Sequence, residues 1–85
     1  MKIHTFRGTG RVFGFTEAVG GENLPRRYGP WTAFKSLDMH RDEPHSGVDV
    51  NTCLDDIAAH GFHLTDAHVR IAPETENLGR INIQA

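Results

Sequence analysis

The sequence predicts a small α+β domain, in which a mostly antiparallel sheet of about four or five strands carries one helix across one face. Two observations predict this class. Several short segments alternate apolar and polar residues, which is the period of a strand, and one central segment repeats its apolar residues at the helical period. The order of these segments is β-β-β-α-β-β, and the 85 residues are enough for a single domain, residues 1–85.

The first two strands are predicted at residues 2–7 and 11–17, with the sequences KIHTFR and RVFGFTE. Residues 8–10 (GTG) lie between them, and glycine in so short a connection favours the positive φ angles of a tight hairpin. In the second strand the two phenylalanines point to one face of the sheet and Gly14 to the other. A glycine inside a strand indicates a bulge or the close approach of another segment.

A long connection and a third strand follow. Residues 18–30 contain three glycines and two prolines, and this segment of thirteen residues is longer than most connections in a compact domain. Residues 31–40 alternate and predict the third strand, and residues 41–47 are a polar loop. The predicted strand has Ala33, Lys35, Leu37 and Met39 on one side and Phe34, Ser36, Asp38 and His40 on the other.

Residues 49–61 predict one complete amphipathic helix. Asp49 is a good N-cap, and Gly61 can take the left-handed conformation that ends a helix. His60 lies in the last turn, where the helix dipole favours a positive charge, and it is predicted to pair with Asp56 one turn earlier. The predicted apolar face carries Val50, Cys53, Leu54, Ile57 and Ala58, and the opposite face carries Asn51, Thr52, Asp55, Asp56 and Ala59.

The last part of the chain predicts short strands. Residues 62–65 and 68–71 alternate, and they are two strands or one bent strand. Residues 72–77 form an acidic turn. Residues 78–85 predict a final strand whose two isoleucines face inward.

Composition excludes several classes of protein. With 38% apolar residues and a net charge of −2, the chain is neither disordered nor a general binder of polyanions. A single cysteine excludes an internal disulfide and fits a reducing cytoplasm. Residues 1–7 lack the apolar run of a secretory signal, and no segment approaches the ~20 apolar residues of a membrane span. We therefore expect a cytoplasmic protein without a membrane partner.

The long connection contains the residues predicted to bind a partner. Arg26, Arg27 and Tyr28 lie between two prolines, and Trp31 follows shortly after them. These residue types are enriched at interface hot spots, and loops held by a scaffold often carry binding function. The sequence therefore predicts a non-catalytic module that binds another protein through residues 22–31. Alternatively, Trp31 packs against the edge of the sheet and has a structural role.

Two further functions stay open. One is a small nucleic-acid or anionic-ligand binder, which would use Arg7, Arg11, Arg26 and Arg27. The absence of a basic stripe argues against nucleic acid.

The exposed edges of a small sheet also permit a homodimer.

The third function is a metal-dependent or thiol-dependent enzyme built around Cys53, His60 and His63. The two histidines lack the i,i+4 spacing of a helical zinc site, and the chain has no second cysteine. His68 follows five residues later but supplies no recognised spacing. The cysteine lies within the apolar stripe, where a small thiol usually packs as a hydrophobe. We therefore predict no catalytic residue, no metal ligand and no cofactor.

Four segments resemble a group of short bacterial proteins of unknown function. These segments are residues 23–25 (NLP), 29–35 (GPWTAFK), 53–57 (CLDDI) and 61–71 (GFHLTDAHVRI). The resemblance implies a bacterial origin and one compact domain. It implies no activity, cofactor or site residue.

Overall fold

The computed structural model describes residues 1–45 and 47–72, and these form one five-stranded antiparallel sheet with one helix packed against it. The strands lie in the order β3-β1-β2-β4-β5. The predicted α+β class and the order of the elements are confirmed. The elements are β1 (Lys2–Arg7), β2 (Val12–Thr16), a 3₁₀ turn (Arg26–Tyr28), β3 (Thr32–Asp38), α1 (Val50–His60), β4 (Phe62–Asp66) and β5 (Val69–Arg70). The strand predicted at residues 78–85 and the acidic turn from residue 73 onward lie outside the described residues.

The pairing of β1 with β3 contains a β-bulge. Thr5 lies opposite Lys35, but Phe6 lies opposite Ala33, so Phe34 is an extra residue in β3. The ring of Phe34 lies edge-on to Phe13 of β2, with 5.6 Å between the ring centroids. The alternation predicted for residues 31–40 is therefore wrong at Phe34, because an extra residue in β3 changes which of its side chains share a face.

The helix begins and ends where its signals predict. The Asp49 carboxylate accepts a hydrogen bond from the Thr52 amide at 3.2 Å, and Gly61 has φ +93°. Two positions on its surface are corrected. Asp56 was predicted to face outward and is buried, whereas Ala58 was predicted to face inward and is exposed. The helix is rolled so that the flank carrying Asp56 faces β4 and β5.

The main core lies between α1 and one face of the sheet, called here the helix-side face. Its centre is fully buried, and the free cysteine packs there among aliphatic side chains. The buried members are Ile3, Phe15, Met39, Val50, Cys53, Leu54 and Ile57. The helix packs over β4 and over the part of β2 that holds Phe15, so among the described residues it does not cover the half of this face around Phe13 and Phe34.

The opposite face of the sheet is covered by the long connection rather than by a second helix. Leu24 packs with Phe6 and Leu64 in a second core, against which Trp31 is packed. A side chain at Gly14 would place its Cβ 2.8 Å from the Leu24 Cδ2 atom. Of the two explanations predicted for this glycine, close approach is the one that the structure shows.

The N-cap of α1 gives a direct test of how the helix starts. We expect Asp49→Ala to lower the free energy of unfolding by ~1 kcal/mol, since the first-turn amide of Thr52 loses its acceptor. Asp49→Asn keeps an acceptor at the same place, and we expect it to stay within a few tenths of a kcal/mol of the wild type. Urea unfolding of the three proteins measures this. Equal losses in both variants would contradict the capping role.

Candidate functional site

The segment predicted to bind a partner, residues 22–31, is held by a hydrogen bond within itself and by bonds to the β1–β2 turn and to the C-terminal end of α1. The Thr9 amide in the β1–β2 turn donates to the Tyr28 carbonyl at 2.7 Å, and the indole N–H of Trp31 donates to the Pro25 carbonyl at 2.8 Å. The side-chain amide of Asn23 donates to the carbonyl of Gly61 at 2.8 Å. These hydrogen bonds thus hold the segment in a defined conformation.

The four predicted contact residues differ in how far their side chains are exposed to solvent. Arg26 and Arg27 are exposed, and the Arg27 guanidinium lies 5.0 Å from the centre of the Tyr28 ring. Tyr28 and Trp31 are half-buried against the second core. The indole ring therefore supports the segment from beneath, while the two arginines face solvent.

The four arginines of the alternative function lie at one end of the sheet. Arg7 ends β1 and Arg11 follows the hairpin turn, and the bond between Thr9 and Tyr28 brings the 3₁₀ turn beside them. Arg7 lies over the helix-side face, where its guanidinium is 5.9 Å from the centre of the Phe13 ring. Arg26 and Arg27 belong instead to the segment on the opposite face. One end is therefore basic, but its charges are divided between two faces.

A buried ionic network lies beneath α1. The Asp56 carboxylate accepts from Arg70 through two bonds of 2.8 Å, one to each oxygen, in a bidentate geometry. His63 Nδ1 lies 2.7 Å from Asp56 Oδ2. These three residues join α1 to β4 and β5, so the network clamps the helix to two strands.

The network of Asp56, His63 and Arg70, called here the clamp, keeps Asp56 ionised. Burial raises the pKa of this carboxyl, but the hydrogen bonds from Arg70 and His63 outweigh burial and hold the pKa below its ordinary value. Both oxygens of the carboxylate are occupied by partners, and His63 is buried beneath the helix. An aspartate and a histidine at this distance can form a catalytic pair, but a substrate would have no access to this one.

The residues of the predicted enzyme alternative do not converge. Cys53 is fully buried, and burial, followed by the charges of Asp56 and Asp49, raises the pKa of its thiol to about 12. His60 is exposed at the helix end, whereas His63 is in the clamp. The predicted pairing of His60 with Asp56 is therefore wrong.

Within residues 1–45 and 47–72, no group of three or more His, Cys, Asp or Glu side chains lies close enough to hold a metal ion. The helix in this part of the chain is also too short and too polar to cross a membrane.

Comparisons of the chain with models of known protein families, with curated proteins and with solved structures find no match. The resemblance to bacterial proteins of unknown function stays a prediction. No activity or site residue comes to this chain from a relative.

The clamp was missed from the sequence, although one signal pointed to it. His63 lies within the predicted strand at residues 62–65, and its neighbour across the sheet in β2 is the apolar Phe15. A histidine at such a position needs a polar partner. The partners, Asp56 and Arg70, follow only from the packing of the helix.

Loss of the buried carboxylate tests the clamp. We expect Asp56→Asn to lower the free energy of unfolding by about 3 kcal/mol, because Arg70 and His63 lose the charge that compensates their burial. Asp55→Asn is the matched control. It removes the neighbouring charge, whose 2.8 Å pair with Arg41 is largely exposed, and we expect a loss within about 1 kcal/mol. Similar losses from the two variants, measured by urea unfolding, would contradict a buried clamp.

Acid should release the clamp. Because the pKa of Asp56 in the folded protein lies below that in the unfolded chain, its contribution is complete above roughly pH 4 and is lost as pH falls through the folded value. We expect the urea midpoint of the wild type to fall more steeply below that pH than the midpoint of Asp56→Asn. Parallel pH profiles of the two proteins would rule out this linkage.

Proposed function

We propose that this chain is a non-catalytic binding domain that contacts an acidic partner protein through residues 22–31. The observation that carries the proposal is the 3₁₀ turn, in which Arg26 and Arg27 are exposed beside Tyr28 on a segment packed against the sheet. Arginine and tyrosine supply much of the binding energy at interfaces, and the guanidinium fork suits carboxylates.

The anchoring of the segment supports the proposal energetically. A loop that is ordered before binding loses less conformational entropy when the partner arrives. The bond from Thr9 to Tyr28 and the packing of Trp31 supply this order. In the proposed complex the indole ring keeps the loop in shape, and the arginines and the tyrosine make the contacts.

The placement of the reactive side chains favours binding over catalysis. The thiol of Cys53 is protonated and sealed in the core, and the carboxylate of Asp56 is engaged by two partners. Catalysis needs a reactive group that can reach a substrate. Neither of these two groups can do so in the folded protein.

The basic end of the sheet favours a second candidate, a binder of nucleic acid or of a smaller anion. Arg7 and Arg11 add their charges to those of Arg26 and Arg27 at that end. Binding that neutralises several phosphates weakens steeply as salt rises. A loss of affinity of about a hundredfold or more between 50 and 200 mM salt would favour this candidate over a protein interface.

Location and assembly belong to the same proposal. A cytoplasmic location rests on the single cysteine. A homodimer would form through β3, which is an exposed edge strand of seven residues. Sedimentation at several protein concentrations tests the dimer independently of the partner.

The exposed arginines give the decisive variant. We expect Arg26→Ser combined with Arg27→Ser to reduce partner binding by about a hundredfold, since two hot-spot side chains are removed. The measurement is affinity capture from a bacterial lysate, followed by titration of the retained protein. The urea midpoint should stay close to that of the wild type, because both side chains are exposed.

The control removes two positive charges elsewhere, by Lys2→Ser combined with Arg41→Ser. Both residues are exposed and lie outside the 22–31 segment. This variant should capture the partner as the wild type does. A partner that is retained by both double variants, or lost by both, would refute the proposed contact surface.

A further inference from the structure

A cleft lies on the half of the helix-side face that α1 leaves uncovered. Its volume is about 230 Å³, and it runs between the strands and the segment at His45, Gly47 and Val48. The hairpin turn between β4 and β5 supports that segment, since His68 Nδ1 lies 3.1 Å from the Gly47 carbonyl oxygen. The apolar part of the lining is formed by Phe13, Phe15, Phe34, Leu37 and Val48.

In the part of the chain that the structure describes, a buried hydroxyl in the cleft lacks a partner. Thr5 lines the cleft and is only 3% exposed, and its Oγ1 atom has no hydrogen-bond partner among the described residues. A buried hydroxyl without a partner is costly, so nearly all such groups in folded proteins are satisfied. An acceptor atom brought by a ligand would satisfy this one.

Among the described residues that line the cleft, the charged side chain is that of Lys35. Lys35 lies directly opposite Thr5 in the pairing of β3 with β1, so their side chains are neighbours on the same face. His45 and His68 also line the cleft, and none of its described lining residues is acidic. A lysine side chain that shares the cleft with a hydroxyl lacking a partner among the described residues can pair with a carboxylate that also accepts from the hydroxyl.

Aromatic rings form the wall next to this site. The Lys35 ammonium lies 5.6 Å from the centre of the Phe34 ring, and that ring meets Phe13 edge-on. Phe34 is 50% exposed, although it is a large apolar side chain. A ring or a short aliphatic body placed here would cover it.

We propose that this cleft binds a small carboxylic acid with a single aromatic or aliphatic ring. The carboxylate accepts a hydrogen bond from the Thr5 hydroxyl and pairs with Lys35, and the ring packs against Phe13 and Phe34. The volume of about 230 Å³ exceeds the ~150 Å³ of an apolar cavity that takes up benzene, which suits an acid of one ring. The cleft lies on the other face of the sheet from the 22–31 segment, so this site does not depend on the proposed partner.

The test uses the full chain and three probes. Benzoate has both features, benzamide has the same shape without the charge, and acetate has the charge without the ring. In a titration followed by amide NMR, we expect benzoate to shift the signals of Thr5, Phe13 and Lys35. It should bind about tenfold more tightly than either of the other two, because both the charge-assisted bond and the apolar contact contribute.

Three variants connect the binding to the named groups. Lys35→Gln should weaken benzoate binding about tenfold. Lys2→Gln removes the same charge from an exposed position of β1 outside the cleft and should leave the affinity unchanged. Thr5→Val should weaken benzoate binding severalfold while the urea midpoint stays the same or rises, because the lost hydroxyl has no partner within residues 1–45 and 47–72.

Three results would overturn the proposal. Benzamide could bind as well as benzoate, or Lys2→Gln could weaken binding as much as Lys35→Gln. Nuclear Overhauser contacts could also show that another segment of the chain, or a second copy of it, already fills the space between Phe13 and Phe34.

Discussion

One buried carboxylate determines how the helix lies on the sheet. Asp56 accepts three hydrogen bonds from β4 and β5, and an ionised group beneath a helix is tolerated only while it is paired in this way. The clamp holds one flank of α1 over the β4 side of the sheet. It therefore also determines which half of the helix-side face the helix covers and which half, around Phe13 and Phe34, no helix of the described residues covers.

The face of the sheet opposite α1 is covered in a different way. A sheet that is apolar on both faces needs two covers, and this chain has one helix in the described residues. The 22–31 segment supplies the second cover, and Gly14 provides the space in which Leu24 can reach the sheet. Because the inner side chains of this segment serve the core, its outer ones, Arg26 and Arg27, remain at the surface. The exposure of these two arginines thus follows from the way the segment packs on the sheet.

Local signals predicted most of the fold, and non-local packing accounts for what they missed. Asp49 and Gly61 predicted the ends of the helix because a cap acts on the backbone within one turn. Alternation predicted the strands because it too is a local pattern, carried by neighbouring residues. A helical wheel could not show that Asp56 faces β4, since that depends on the roll of the helix against partners in other strands. The bulge at Phe34 arises only when β3 pairs with β1. The cleft depends on both of these features, so the sequence alone could not reveal it.

Stability and chemical inertness have a common origin in this helix. Asp56 lies one turn after Cys53, and its charge adds to burial in raising the pKa of the thiol. Burial is the larger cause, so the thiol of Cys53 stays protonated while α1 packs against the sheet. A thiolate at neutral pH would require exposure of Cys53, and that exposure would separate α1 from the core. Among the described residues, the cations that could meet a ligand lie instead at the surface beside aromatic rings, with Arg27 at Tyr28 and Lys35 at Phe34.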